Sequence, residues 1–173
     1  MLYIVRHGQT DWNKDKVMQG QTDIPLNNIG ITQAKLAGEK LKHKKFDAIY
    51  CSPLTRAKQT LDNLGIELNN VIYDDRLKER NYGEFEKQLK SSFNYNEFWN
   101  LGLDKKYKEA ESCKEFFDRV INFLEDITKH HAQILIVTHA GITKVCKYYF
   151  EGLKDEEIGP YLPNNAEVLT YEF

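Results

Sequence analysis

Five short apolar runs, separated by longer stretches with helical periodicity, divide the 173-residue chain. Residues 2–5, 47–51, 71–73, 133–138 and 167–173 read as strands. Three of these runs are nearly unbroken apolar, the pattern of a sheet covered on both faces. Helices are expected between them. Ala34, Ala37 and Leu41 share one stripe of a helix that Asn27 is placed to cap. Ser52-Pro53 offers a cap and a first-turn proline for a second helix, running to about residue 64. Phe116, Val120 and Leu124, with Phe117, Ile121 and Ile127 beside them, mark the clearest amphipathic helix. Ile142, Val145, Cys146 and Tyr149 mark another. Alternating strands and helices predict a three-layer α/β/α sandwich around a mostly parallel central sheet, with its ligand site at the carboxyl ends of the strands.

Composition narrows the class. The chain is 41% hydrophobic and 29% charged, a globular balance without an apolar run long enough for a membrane span. A chain of this size buries roughly 70% of its unfolded surface, and with no repeat or Pro/Gly/Ser-rich linker it reads as one domain over 1–173. The net charge of -2 argues against a nucleic-acid partner, so any anion must be met by a local site. Cys51, Cys113 and Cys146 show neither zinc spacing nor an even count, and read as reduced, mostly buried thiols. The chain enters its first strand at once, with no targeting leader, so a cytoplasmic location is expected.

The strand ends carry the chemistry. Arg6-His7-Gly8 follows the first run and places a guanidinium, an imidazole and an unhindered backbone amide together. Thr138-His139-Ala140-Gly141 repeats the arrangement, and the helix after it aims amides and the positive end of its dipole at the same point. Arg56 stands in the first turn of a helix at a third strand end, where a guanidinium meets phosphate in two-pronged fashion. One histidine in a loop is ordinary; three converging strand ends point to a phosphate cradle. His43 and His130-His131, at helix ends among lysines, read as solvated.

Four ordered blocks then resemble the histidine phosphatase, or phosphoglycerate mutase-like, superfamily. They are residues 2–10 with Trp12-Asn13, Gln19-Gly20, residues 23–27 and Gly30; residues 51–60; residues 77–86; and residues 137–141, with residues 164–168 similar to its last strand. The resemblance implies that His7 attacks phosphorus and becomes a phosphohistidine. It also implies that Arg6, Arg56 and His139 bind the phosphate oxygens with Asn13 and Ala140, and that Glu79 is the general acid and base. Glu79 alone would read as a solvated carboxylate, and the Leu-x-Glu-x-x-x-Gly spacing from Leu77 to Gly83 is what changes that. Gln19, Gly20 and Tyr82 are implied substrate contacts, and no metal or cofactor is expected.

Two departures touch backbone shape. Lys87 follows Glu86 where the family commonly has glycine, and Ala110 precedes Glu111-Ser112 where glycine is common. Segment 84–112 is expected to cover the site. Its aromatics, Phe85, Phe93, Tyr95, Phe98, Trp99 and Tyr107, read as core first and as a platform for an apolar leaving group second. Its lysines, Lys87, Lys90, Lys105, Lys106 and Lys108, are candidates for a second anionic group. The mutases of the family are longer and carry paired arginines, and this chain has no Arg-Arg. The expectation is therefore a phosphomonoester phosphatase of the histidine acid phosphatase type acting on a small phosphorylated metabolite. A cofactor-dependent mutase is the alternative, and a non-catalytic phosphate-binding module stands third.

Overall fold

In a computed structural model, which describes residues 1–129 and 132–173, the five runs form one sheet of β1 (Leu2–Arg6), β2 (Ala48–Cys51), β3 (Val71–Tyr73), β4 (Ile134–Thr138) and β5 (Val168–Tyr171), in the order β3-β2-β4-β1-β5. The central strands β1 and β4 pair in parallel and are buried at every residue, as their apolar sequences, broken only by the terminal Arg6 and Thr138, predict. Parallel pairs continue to β2 and the edge strand β3. The last strand, β5, lies antiparallel to β1 and is shorter than its apolar run.

Strand alternation sorts the core into two layers. Leu2, Ile4, Ile134 and Ile136 pack on one face with Phe116, Val120 and Leu124 of α5 (Cys113–Ile127) and Val145 of α6 (Ala140–Glu151). Tyr3, Val5, Leu135 and Val137 pack on the other with Ala37 and Leu41 of α2 (Asn28–Leu41) and Leu61 of α3 (Thr55–Asn63). The result is a mostly parallel α/β sandwich, to which the one-turn helices α1 (Asp11–Lys14) and α4 (Tyr95–Phe98) also belong. Each fully buried Leu, Ile or Phe stabilises it by about 1.5–3 kcal/mol relative to exposure.

The helix starts explain what the strand ends can present. Asn27 Oδ1 accepts from Gly30 N at 2.9 Å, the expected cap of α2. The expected cap of α3 is corrected: Ser52 gives no cap and the helix begins at Thr55, two residues after Pro53. Asp23 does that work from another loop, accepting from Thr55 N at 2.8 Å and from Thr55 Oγ1 at 2.7 Å. Ser52 is thereby freed to meet His139 Nε2 at 2.7 Å. A reciprocal capping box, Ser112 with Glu115, starts α5.

The departures from the family pattern resolve differently. Lys87 adopts φ 70°, the left-handed region where glycine is favoured, so the backbone keeps the shape and the side chain carries the strain. Ala110 shows no positive φ; the neighbouring Glu109 does, at 57°.

The three cysteines are buried and unbonded, and burial pushes the Cys51 thiol up to about 12. No helix among the described residues is long and apolar enough to cross a membrane. His43 is exposed just beyond α2, as expected, while His130 and His131 lie outside the described residues.

Candidate active site

A cavity of about 310 Å³ opens at the carboxyl ends of β1, β2 and β4. Arg6, His7, Asn13, Gln19, Gly20, Arg56, Glu79, Tyr82 and Ala140 all line it, so every expected site residue except His139 reaches the wall.

His7 follows β1, and its amide continues the ladder to Thr138 O at 2.8 Å. The ring Nδ1 lies 2.7 Å from Gly8 O, which can only accept, so Nδ1 carries the proton. Nε2 then holds a lone pair and has no hydrogen-bond partner among the described residues. Burial first, then Arg56 and Arg6, hold His7 well below the ordinary 6.5, so the imidazole stays neutral. The Gly8 amide is corrected from the expected phosphate donor: it donates to Thr60 Oγ1 at 3.0 Å. Glycine is required there because a Cβ would meet Gly30 O at 2.3 Å.

Two guanidiniums, of Arg6 and Arg56, line the same cavity as the ring. Arg56 donates through Nε to His139 Nδ1 at 3.2 Å, through Nη1 to Thr22 O at 2.9 Å and through Nη2 to Gly20 O at 2.7 Å. Burial draws Arg56 down to about 10, with Glu79, Asp23 and Glu86 opposing. Arg6 donates through Nη1 to Pro163 O, yet its buried Nε has no partner among the described residues. An orphaned buried donor costs about 1–3 kcal/mol.

His139 is fully buried 5.2 Å from the His7 ring. Nδ1 accepts from Arg56, so the Nε2 proton goes to Ser52 Oγ. In this arrangement His139 braces Arg56 rather than facing the cavity, which departs from the expected oxygen contact. Asn13 Oδ1 collects Thr10 N at 3.1 Å and Asn165 Nδ2 at 3.2 Å, which turns the amide NH2 into the group available for an anion.

Glu79 sits opposite. Its Oε1 accepts from Arg80 N at 2.8 Å and its Oε2 from Gly141 N at 3.0 Å. The α6 terminus therefore spends its Gly141 amide on the carboxylate, leaving Ala140 at the wall. A Cβ at Gly141 would lie 2.0 Å from Glu79 Oε1, so only glycine lets the acid approach. Behind it, Arg119 of α5 donates to Lys78 O at 3.0 Å and Glu79 O at 3.1 Å and pairs with Glu111 at 2.6 Å. Sequence reasoning missed Arg119, and the signal was an arginine one turn from Phe116 and Phe123 on the apolar face. It also missed Asn165, whose Nδ2 donates to His7 O at 3.1 Å.

Segment 84–112 brings only Lys90 and Tyr95 to the cavity. Phe98 and Trp99 are fully buried, and Phe85 stacks on Phe93 with centroids 4.3 Å apart, so most of its aromatics are core. Lys105 and Lys106 pair with Glu97 and Glu115 instead. Arg6, Arg56, Lys16 and Lys90 thus face the cavity against the carboxylate of Glu79.

Known proteins share this plan. The uncharacterized phosphatase PhoE of Bacillus subtilis is 37% identical over 80% of this chain and 70% of its own. The 2,3-bisphosphoglycerate-dependent phosphoglycerate mutase of Mesorhizobium japonicum is 31% identical over 91% of this chain and 84% of its own. The solved structure of YhfR from Bacillus stearothermophilus superposes with a TM-score of 0.85 at 27% identity, covering 96% of this chain and 88% of that one. The family model of the histidine phosphatase superfamily (branch 1) matches residues 2–173, and the chain belongs to that family.

Proposed function

We propose that the protein is a phosphomonoester phosphatase that works through a phosphohistidine at His7. The observation that carries this reading is the placement of His7: buried, with Nδ1 held by Gly8 O and Nε2 left unpaired among the described residues, in a cavity that Arg6 and Arg56 also line. In the first step the Nε2 lone pair bonds to phosphorus, the ester P–O bond breaks with its pair going to the leaving oxygen, and Glu79, entering the step as the carboxylic acid, gives that oxygen its proton and is left as the carboxylate. In the second step Glu79 takes a proton from water, the water oxygen attacks phosphorus and the N–P pair returns to His7. Arg6, Arg56, the Asn13 amide and the Ala140 backbone meet the charge on the transferring group. His139 serves by holding Arg56, and Gln19, Gly20 and Tyr82 form the wall that the leaving group touches.

A neutral nucleophile that resists protonation suits turnover in mildly acid solution, the behaviour of an acid phosphatase type. The segment 84–112 supplies the outer wall of a single domain. Three buried thiols fit a reducing cytoplasm. The mutase of Mesorhizobium japonicum favours a second reading, transfer of the phosphoryl group to another hydroxyl. Product analysis separates the two: free phosphate released from 4-nitrophenyl phosphate, and lost in His7→Ala, supports the phosphatase. Full activity in His7→Ala contradicts both.

A further inference from the structure

Glu86 belongs to none of the roles above, yet its carboxylate gathers four donors. Oε1 accepts from Gln21 N at 2.9 Å and Tyr82 N at 3.3 Å, and Oε2 accepts from Thr22 N at 3.0 Å and from the Thr22 hydroxyl. The carbonyls of that same loop hold Arg56: Gly20 O takes Nη2 and Thr22 O takes Nη1. Gly20 C=O and Gln21 N–H are the two ends of one peptide unit, which points its N–H at Glu86 and its C=O at Arg56. Thr22 offers its own N–H and C=O to the same two groups. The loop is therefore clamped between a carboxylate and a guanidinium, and each hydrogen bond polarises the next.

We propose that Glu86 is a positioning residue that fixes the Arg56 guanidinium, and hence phosphate affinity, through the backbone of residues 20–22. This rests on the reading of Arg56 as a phosphate-binding group. The loop is shaped around the carboxylate: Gly20 has φ 52°, and a Cβ there would lie 2.1 Å from Glu86 Oε1. An amide cannot replace the acid, because each oxygen accepts from a backbone N–H, so the NH2 of a glutamine would meet either Thr22 N–H or the N–H groups of Gln21 and Tyr82 whichever way it turned. Glu86 also opposes the effect of burial on Arg56. It reaches the acid loop as well, through Tyr82 N, so the same side chain ties Arg56 to the strand-end loop that carries Glu79.

The test is a double-mutant cycle read by calorimetric binding of inorganic phosphate and by its inhibition of 4-nitrophenyl phosphate hydrolysis. Glu86→Gln should weaken phosphate binding by about 10- to 100-fold, the scale of a displaced contact group. In an Arg56→Ala background the same substitution should cost less than about twofold, because its effect travels through Arg56. Thr22→Val, which removes one donor and no charge, should show a smaller loss with the same dependence on Arg56, and it decides the matter if Glu86→Gln fails to fold. Unchanged affinity in the otherwise native protein, or equal losses with and without Arg56, would overturn the inference while leaving the phosphatase reading intact. A native protein that binds no phosphate would overturn both.

Discussion

Arg56 spends three of its five N–H groups on His139, Gly20 and Thr22, so the two that remain have a set direction. An ammonium has no such fork. Arg56→Lys is therefore expected to weaken phosphate or vanadate binding about tenfold or more despite the retained charge; unchanged inhibition constants would remove Arg56 from the cradle. Glu79→Gln should slow alkyl phosphates by about 10²- to 10⁴-fold in single turnovers, the usual worth of a general acid. Nitrophenyl phosphate, whose leaving group departs as a stabilised anion, should lose far less in that step, and equal losses would place the acid elsewhere. Stability should also follow the two histidines. Burial and Arg56 hold both His7 and His139 well below 6.5, so below that value the unfolded chain binds protons that the folded one refuses. Their contribution is complete above about pH 6.5 and is lost as pH falls. The melting temperature should drop between pH 7 and pH 5, and drop less in His139→Gln. Most of these residues were legible because they follow strand ends in recognisable blocks. The spent amide of Gly8, the bracing role of His139 and the support from Arg119 were not, because each depends on a partner from another part of the chain: Thr60, Ser52 and the carbonyls of residues 76–79.

Local capping rules located some elements and missed others for a physical reason. Asn27 caps its own helix and could be read directly. The helix bearing Arg56 is capped from Asp23, more than 30 residues away, so no local pattern reveals its start. Ser112 and Glu115 form a local box that periodicity alone passed over. Ser112→Ala should cost about 1 kcal/mol in denaturant unfolding, since an orphaned amide loses its acceptor; a change within error would assign α5 to packing alone. Lys87 carries the opposite expectation. It is exposed at φ 70°, where an L side chain is strained by roughly 1–2 kcal/mol. Lys87→Gly should raise stability, with part of the gain offset by the freedom that glycine adds to the unfolded chain. A lower unfolding midpoint would mean that the lysine makes contacts outweighing its backbone strain.

At the scale of the molecule, a mostly parallel sheet whose central strands are buried on both faces leaves the carboxyl strand ends as the place where polar groups converge, and the two core layers hold them there. The cavity is walled by four cations and one carboxylate among the described residues, a set suited to a phosphate and poor in the oxygen ligands that magnesium or calcium takes. Turnover should persist in EDTA; loss that added metal restores would contradict a reaction driven by protein cations. The phosphohistidine at His7 is tested most directly by a rapid quench of the protein with a ³²P-labelled phosphomonoester, followed by mapping of the label. An acid-labile, base-stable phosphoryl group is expected on His7, forming at the rate of the first step and absent in His7→Ala. Label on a serine, a cysteine or another histidine, or turnover in single-turnover experiments with no protein-bound phosphate at any time, would contradict it.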